Sequence, residues 1–210
     1  MKPNKADFLP WLPPLIFTVF IYCTLSSVPK LWGVIFAKFS RSAIMGSIEI
    51  LLSGLLLSAL AYLAFYAKTE KTARLLWLLG VGSVYAYFIL SIEIIVEQVH
   101  LVEYGVLAAL YLVPLEKTLK DQSSYYAAGS LTFSAGIVDE TIQYYSPVRV
   151  GTVPDICLNG YTAALALVLM AKVFHRDAAS IPPSFRNVRI LCGIFAFNLG
   201  SPAADTTVIN

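Results

Sequence analysis

Six long apolar stretches in succession are the feature of this sequence that most limits its fold. The hydrocarbon core of a bilayer is about 30 Å thick, so a helix needs about 20 apolar residues to cross it. Only helices and closed barrels satisfy their backbone hydrogen bonds there, and these stretches are continuously apolar, whereas barrel strands alternate. The sequence therefore predicts an all-α fold, a polytopic integral membrane bundle of about six transmembrane helices. They cover about 12–28, 44–67, 75–96, 101–115, 125–143 and 155–174.

The composition excludes the main soluble classes. Hydrophobic residues make up 58% of the 210 residues and charged residues 13%, against roughly 45–50% and 25% in an ordinary soluble domain. A soluble chain of this length could not bury so much apolar surface. We therefore exclude a soluble enzyme, a disordered chain and a disulfide scaffold, and expect a single transmembrane domain over residues 1–210.

Charge and cysteine content indicate few partners beyond membrane lipids. The formal net charge is only +2 and no run of five or more bases occurs, so no nucleic-acid partner is expected. Cys23, Cys157 and Cys192 show no CxxC spacing, which gives no sign of a zinc site or a disulfide framework. The sequence therefore indicates no cofactor and assigns no metal ligands, and it leaves open whether a divalent metal binds and what the oligomeric state is.

Three shorter segments carry their own expectations. Residues 186–200 are too short to span a membrane and carry Arg186 and Arg189, which is typical of an interfacial helix. Residues 31–40 are expected to form a short surface helix whose lysines reach outward. Asp121 falls in a polar stretch between the fourth and fifth spans, where we expect a solvated loop.

The distribution of Lys and Arg predicts the orientation. With six spans, most of the 15 bases fall on the side that holds both termini. The positive-inside rule places that side in the cytoplasm. We therefore expect a multi-pass protein of the cell membrane with its N- and C-termini inside.

Polar residues collect at the opposite, extracytoplasmic ends of spans three to six. Ionisable groups at membrane depth are expensive, so they usually face a cavity and serve a function. Glu97, His100 and Tyr104 are three and four residues apart and share one helical face. Acids near these span ends are Glu93, Glu97, Glu103, Asp139, Glu140 and Asp155, with Gln143, Arg149 and Asn159 beside them.

Several of these residues have a structural alternative. Asp155 follows Pro154 and stands where a helix N-cap would. Arg149 lies in a loop flanked by Pro and Gly, where pairing with Asp155 or Asp139 would fix the loop. His100 at a helix start would also be compatible with a solvated interfacial histidine.

Two segments resemble the signatures of the VanZ-like membrane protein family. EQVHLVEYGVLAALYL is similar to an acid-x-x-His-x-x-x-Tyr segment, and DETIQYYSPVRVGTVPDICLNGYTAALAL to acid-Glu-x-x-Gln, Pro-x-Arg, then Asp-x-x-x-Asn. These signatures fall within 93–115 and 137–169. Gln98 and Val148 stand where the family often has Lys and Gly. The resemblance points to Glu97, His100, Tyr104, Glu140, Gln143, Arg149, Asp155 and Asn159 as ligand-binding residues.

The resemblance implies a link to low-level teicoplanin resistance and implies no reaction. The expected function is an outward-facing polar pocket that binds or modulates a lipid-linked cell-envelope component or a lipoglycopeptide such as teicoplanin. The alternative is an intramembrane enzyme acting on a lipid or polyprenyl phosphate headgroup, with Glu and His as acid and base, where the carboxylates and His100 could also gather a divalent ion. A proton-coupled transporter ranks third, because no repeat halves or interrupted helices are seen. The sequence does not decide whether the chain is an enzyme.

Overall fold

The computed structural model describes residues 8–25, 27–92, 95–146, 151–174 and 177–199. Within these ranges the chain is all helical, as predicted, with eight α-helices and two short 3-10 helices, Leu9–Trp11 and Asp177–Ser180. The α-helices are α1 Leu12–Thr24, α2 Val28–Lys38, α3 Arg41–Phe65, α4 Lys71–Ser91, α5 Ile95–Leu119, α6 Ser123–Tyr144, α7 Val153–Lys172 and α8 Phe185–Leu199.

Four of these helices are long and apolar enough to cross a membrane. They are α3, α4, α5 from Gln98 to Leu119, and α7, and they correspond to four of the six predicted spans. The first predicted span is a shorter apolar helix, Leu9–Thr24. A multi-pass membrane protein follows from these four helices.

The third and fourth predicted spans have different boundaries from those expected. The fourth apolar stretch looked short at 101–115, but α5 runs over Ile95–Leu119, and α4 ends at Ser91. The helix break therefore lies before Ile95. This places Glu97, His100 and Tyr104 on one helix.

The fifth predicted span forms a helix, α6, but it is not among the four helices that are long and apolar enough to cross a membrane. Its buried residues include many small or polar side chains, among them Ser130, Thr132, Gly136 and Asp139. The small residues let neighbouring helices approach closely. A Cβ added at Gly136 would lie 3.1 Å from the Cβ of Asn159 on α7.

The interior lies where α5, α6 and α7 pack against one another, with α1 against α5, α4 against α7 and α8 against α6. Its core includes Tyr104, Leu107, Leu112, Ala128 and Ala163, all almost fully buried. By contrast α3 contacts mainly α4 and exposes large apolar side chains, such as Ile50 at 76%. An exposed apolar surface of this extent is the kind that lipid covers.

The prediction that Asp121 lies in a solvated loop is wrong. Its side chain is 4% exposed and accepts hydrogen bonds from the Ser123 N–H (2.9 Å), the Ser184 N–H (2.9 Å) and the Asn187 amide (2.7 Å). Asn187 lies on α8 and also donates to the Leu119 carbonyl. The carboxylate thus joins the α5–α6 connection to α8, and a buried charge is tolerated because its acceptors are satisfied.

The two shorter segments are helical. The expected surface helix at 31–40 lies within α2, and the expected interfacial segment at 186–200 falls largely within α8, of which the side chains beyond Gly193 lie outside the described residues. Leu191 of α8 is buried while Phe185 is exposed. One apolar side chain of α8 thus packs against the bundle while another is exposed. A helix lying at the membrane interface, as expected for this segment, would show the same arrangement.

Candidate functional site

A cluster of buried polar side chains lies between the first turns of α5 and the last turns of α6. We call Tyr104, His100, Asp139 and Glu140 the polar cluster. Tyr104 and Asp139 have no exposed surface, and His100 and Glu140 are also buried. Burial of ionisable groups requires compensating contacts, since an isolated carboxylate costs several kcal/mol to desolvate.

Asp139 is the centre of the polar cluster. The Tyr104 hydroxyl donates to its Oδ2 over 2.8 Å, and the Nδ1 of His100 lies 3.8 Å from the same oxygen. The same Nδ1 lies 4.0 Å from Oε2 of Glu103, which is partly exposed. His100 and Tyr104 stack with ring centroids 5.9 Å apart, as their predicted common face requires.

Glu140 is held from two directions. The Gln143 amide donates to its Oε1 over 3.3 Å, and the backbone N–H of Thr152 donates to its Oε2 over 3.1 Å. The preceding residue, Gly151, packs so tightly on α6 that an added Cβ would overlap the Glu140 carbonyl oxygen. Glycine at 151 thus allows the chain entering α7 to touch Glu140.

The N-cap of α7 is Thr152, which corrects the suggestion that Asp155 is the cap. The Thr152 hydroxyl accepts from the Asp155 N–H (3.3 Å) and donates to the Asp155 carboxylate (2.7 Å). Thr152 therefore caps α7 through its side chain. It does not form a full capping box, because its own backbone N–H donates to Glu140 and not to Asp155. Asp155 therefore has a structural role, and it orients the residue that binds Glu140.

Asn159 lies one turn further along α7 and faces the interior. Its side chain is 1% exposed, and neither atom of its amide has a hydrogen-bond partner among the described residues. The amide sits against Gly136, whose added Cβ would lie 3.3 Å from Asn159 Nδ2 and 3.4 Å from the Tyr104 ring. A buried amide without partners favours a polar ligand or water beside it.

An apolar groove leads from the surface to the polar cluster. It lies between α1, α2 and the start of α5, and its volume is about 260 Å³. His100 and Glu103 are its charged or titratable lining residues. The apolar lining includes Phe20, Ile21, Leu25, Trp32, Ile35 and Val99. We call this the apolar groove.

The structure describes the side chains of six of the eight predicted ligand-binding residues. Five of them lie in or next to the polar cluster: His100, Tyr104, Glu140, Gln143 and Asn159. Asp155 lies beside it, where its carboxylate accepts a hydrogen bond from the Thr152 hydroxyl. Arg149, and the side chain of Glu97, lie outside the described residues.

The prediction of binding residues omitted Asp139, Gly151 and Thr152. Asp139 was named among the acids at the span ends and as a possible partner of Arg149, but not as a binding residue, although it precedes Glu140 in the second signature. Thr152 could have been found from T-V-P-D, which matches the capping-box spacing. No sequence signal indicates that Gly151 touches Glu140, because that contact depends on how α6 and α7 pack.

Comparison with known proteins identified no relative of this chain. No family model, no curated protein and no solved structure matches this chain.

Proposed function

We propose that this chain is a VanZ-like membrane protein that binds an amphiphile, with the ligand's apolar tail in the apolar groove and its polar head at the polar cluster. The single observation that carries the proposal is the continuity of the two features. His100 belongs to the polar cluster and also lines the apolar groove. A ligand with one apolar and one polar end matches this change of lining.

The chemistry of the polar end favours a head that carries an amine. Glu103 lines the apolar groove together with His100, which places a carboxylate where the groove reaches the polar cluster. Carboxylates accept hydrogen bonds from an ammonium group and compensate its charge. A lipid-linked cell-envelope component or a lipoglycopeptide such as teicoplanin combines a lipid chain with polar groups, whereas vancomycin has no lipid tail.

The expected orientation supports this choice of ligand. The positive-inside rule puts the polar cluster near the extracytoplasmic surface. A cell-envelope amphiphile would meet the protein on that side, with its tail in the outer half of the bilayer.

Blocking the apolar groove tests the proposal. In Ile35→Trp a larger side chain fills the apolar groove, so binding of teicoplanin to the purified protein in detergent should fall at least tenfold. Ile50→Trp is the matched control because Ile50 lies on the exposed face of α3, away from the lining. Vancomycin should bind neither protein. Unchanged teicoplanin affinity in Ile35→Trp, or equal binding of both antibiotics to the unmodified chain, would contradict the proposal.

An intramembrane acid–base enzyme is the second candidate function. The observation in its favour is the 3.8 Å separation between His100 Nδ1 and Asp139 Oδ2, with Glu140 adjacent, since His beside a carboxylate is a common acid–base arrangement. Incubation of the purified protein with a lipid or polyprenyl phosphate, with and without Mg²⁺, Mn²⁺ or Zn²⁺, tests it. Release of a headgroup that His100→Gln abolishes would favour the enzyme, and no release would leave the binding protein as the better account.

A further inference from the structure

His100, Asp139 and Glu140 bring three potential metal ligands together. Each offers one ligand atom, and these atoms lie within 4.8 Å of one another. Ligand atoms at about 2.0–2.2 Å from a shared ion are roughly 3–4.5 Å apart, depending on the geometry. The separation found here is within a side-chain adjustment of that range.

The carboxylates are oriented by neighbours as metal-ligating groups usually are. Tyr104 donates to Asp139 Oδ2, while Gln143 and the Thr152 N–H donate to the two oxygens of Glu140. Partners of this kind fix the orientation of ligating side chains, and their loss typically lowers metal affinity 10–100-fold. The carboxylates of Asp139 and Glu140 are therefore both oriented by donors from neighbouring residues.

Asn159 supplies an independent indication of a polar ligand at this place. Its amide is almost fully buried and has no hydrogen-bond partner in the described part of the chain. It packs against Gly136, which precedes Asp139 and Glu140 by one turn of α6. An amide oxygen can bind a cation or a water molecule held by one. An ion with its water would satisfy this amide.

We propose that His100, Asp139 and Glu140 bind one divalent transition-metal ion, Zn²⁺ or Mn²⁺. One imidazole and two carboxylates suit these ions, because imidazole is a good ligand for Zn²⁺, carboxylates suit Mn²⁺, and Mg²⁺ and Ca²⁺ prefer oxygen alone. The ion would neutralise charge inside the bundle and join α5 to α6. This inference goes beyond amphiphile binding and does not require it.

Metal content and ligand identity test the site directly. The full-length protein, purified in detergent and dialysed against metal-free buffer after exposure to Zn²⁺ or Mn²⁺, should retain one ion per chain. X-ray absorption at the metal edge should show nitrogen or oxygen neighbours at about 2.0–2.2 Å. His100→Gln and Asp139→Asn should each weaken binding at least a hundredfold, and Tyr104→Phe 10–100-fold.

Glu116→Gln provides the matched control. Glu116 is an acid on the same helix, about 24 Å along α5 from His100, and it bonds to Tyr125. Its substitution should leave metal binding unchanged. Retention of well under one ion per chain by the unmodified protein, or equal affinity in His100→Gln and the unmodified chain, would overturn the metal site. Teicoplanin binding by the metal-free protein is measured separately, so failure of the metal site and failure of the amphiphile site remain distinguishable.

Discussion

The Tyr104 hydroxyl donates a hydrogen bond of 2.8 Å to Oδ2 of Asp139, at a point where neither side chain is exposed. This contact joins α5 to α6 inside the bundle. The Nδ1 of His100 lies 3.8 Å from the same oxygen, so Tyr104 and His100 of α5 both face Asp139.

Removing the Tyr104 hydroxyl should destabilise the bundle. Tyr104→Phe leaves Asp139 without this donor in a buried site, so we expect a loss of about 1–3 kcal/mol in the free energy of unfolding. Chemical unfolding in detergent measures the change. Tyr126→Phe on the exposed side of α6 is the control and should shift stability by less than about 0.5 kcal/mol. Equal stability of the two variants would show that the bond contributes nothing.

Asp121 should make stability depend on pH in the acid range. Burial alone would raise the pKa of its carboxyl, but hydrogen bonds from Ser184, Ser123 and Asn187 outweigh it and hold the pKa below the ordinary value of 3.8. The native state therefore binds fewer protons than the unfolded state. The stabilisation is fully present above pH 3.8 and is lost as the pH falls through the native pKa.

Asp121→Asn tests this pH dependence. An amide NH₂ would replace one acceptor oxygen and face a donor, so the variant should lose about 1–3 kcal/mol at pH 7. The difference from the unmodified chain should narrow below pH 3.8. Glu70→Gln, at an exposed position, should show no such narrowing. A pH-independent difference in Asp121→Asn would contradict the assignment of a charged carboxylate.

Gly151 should tolerate no side chain. In Gly151→Ala the new Cβ would overlap the Glu140 carbonyl oxygen and lie 2.9 Å from the Tyr144 nitrogen, so the backbone must shift and the Thr152 N–H must leave Glu140. We expect lower stability together with weaker ligand binding. Gly54→Ala in α3 meets nothing within 4 Å and should stabilise the helix by about 0.5–1 kcal/mol. Similar effects of the two substitutions in thermal unfolding would contradict this reading.

Membrane orientation can be measured with single cysteines. After replacement of Cys23, Cys157 and Cys192 by Ser, an impermeant maleimide added to intact cells should label Tyr145→Cys, which follows α6. It should label Lys68→Cys, which precedes α4, only after the membrane is permeabilised. The opposite pattern would reverse the predicted orientation.

The helical class followed from the apolar stretches, because a lipid environment leaves few options for the backbone. The boundary between α4 and α5 did not, since Glu93 is the only charged residue in 75–96 and hydropathy cannot show that α4 stops at Ser91. The polar nature of α6 was visible in the sequence. The burial of its polar side chains, such as Thr132 and Asp139, depends on how α6 packs against α5 and α7 and could not be predicted from the sequence.

The site was predictable where its residues lie on one helix. The spacing of His100 and Tyr104 fixes their common face. The pairing of Tyr104 with Asp139 and of Thr152 with Glu140 joins different helices, and the packing of small residues such as Gly136 decides it. The burial of Asp121 could not be predicted from the sequence either, because its hydrogen-bond partner Asn187 lies 66 residues further along the chain.

The central claim is that the apolar groove and the polar cluster form one binding site for an amphiphile. Its most direct test is photocrosslinking of the purified protein with teicoplanin that carries a diazirine on its acyl chain, followed by peptide mapping. We predict that the label falls on the lining of the apolar groove, at Trp32, Ile35 and Val99, and that unlabelled teicoplanin competes while vancomycin does not. Labelling confined to the exposed face of α3, or labelling that unlabelled teicoplanin fails to reduce, would contradict the account.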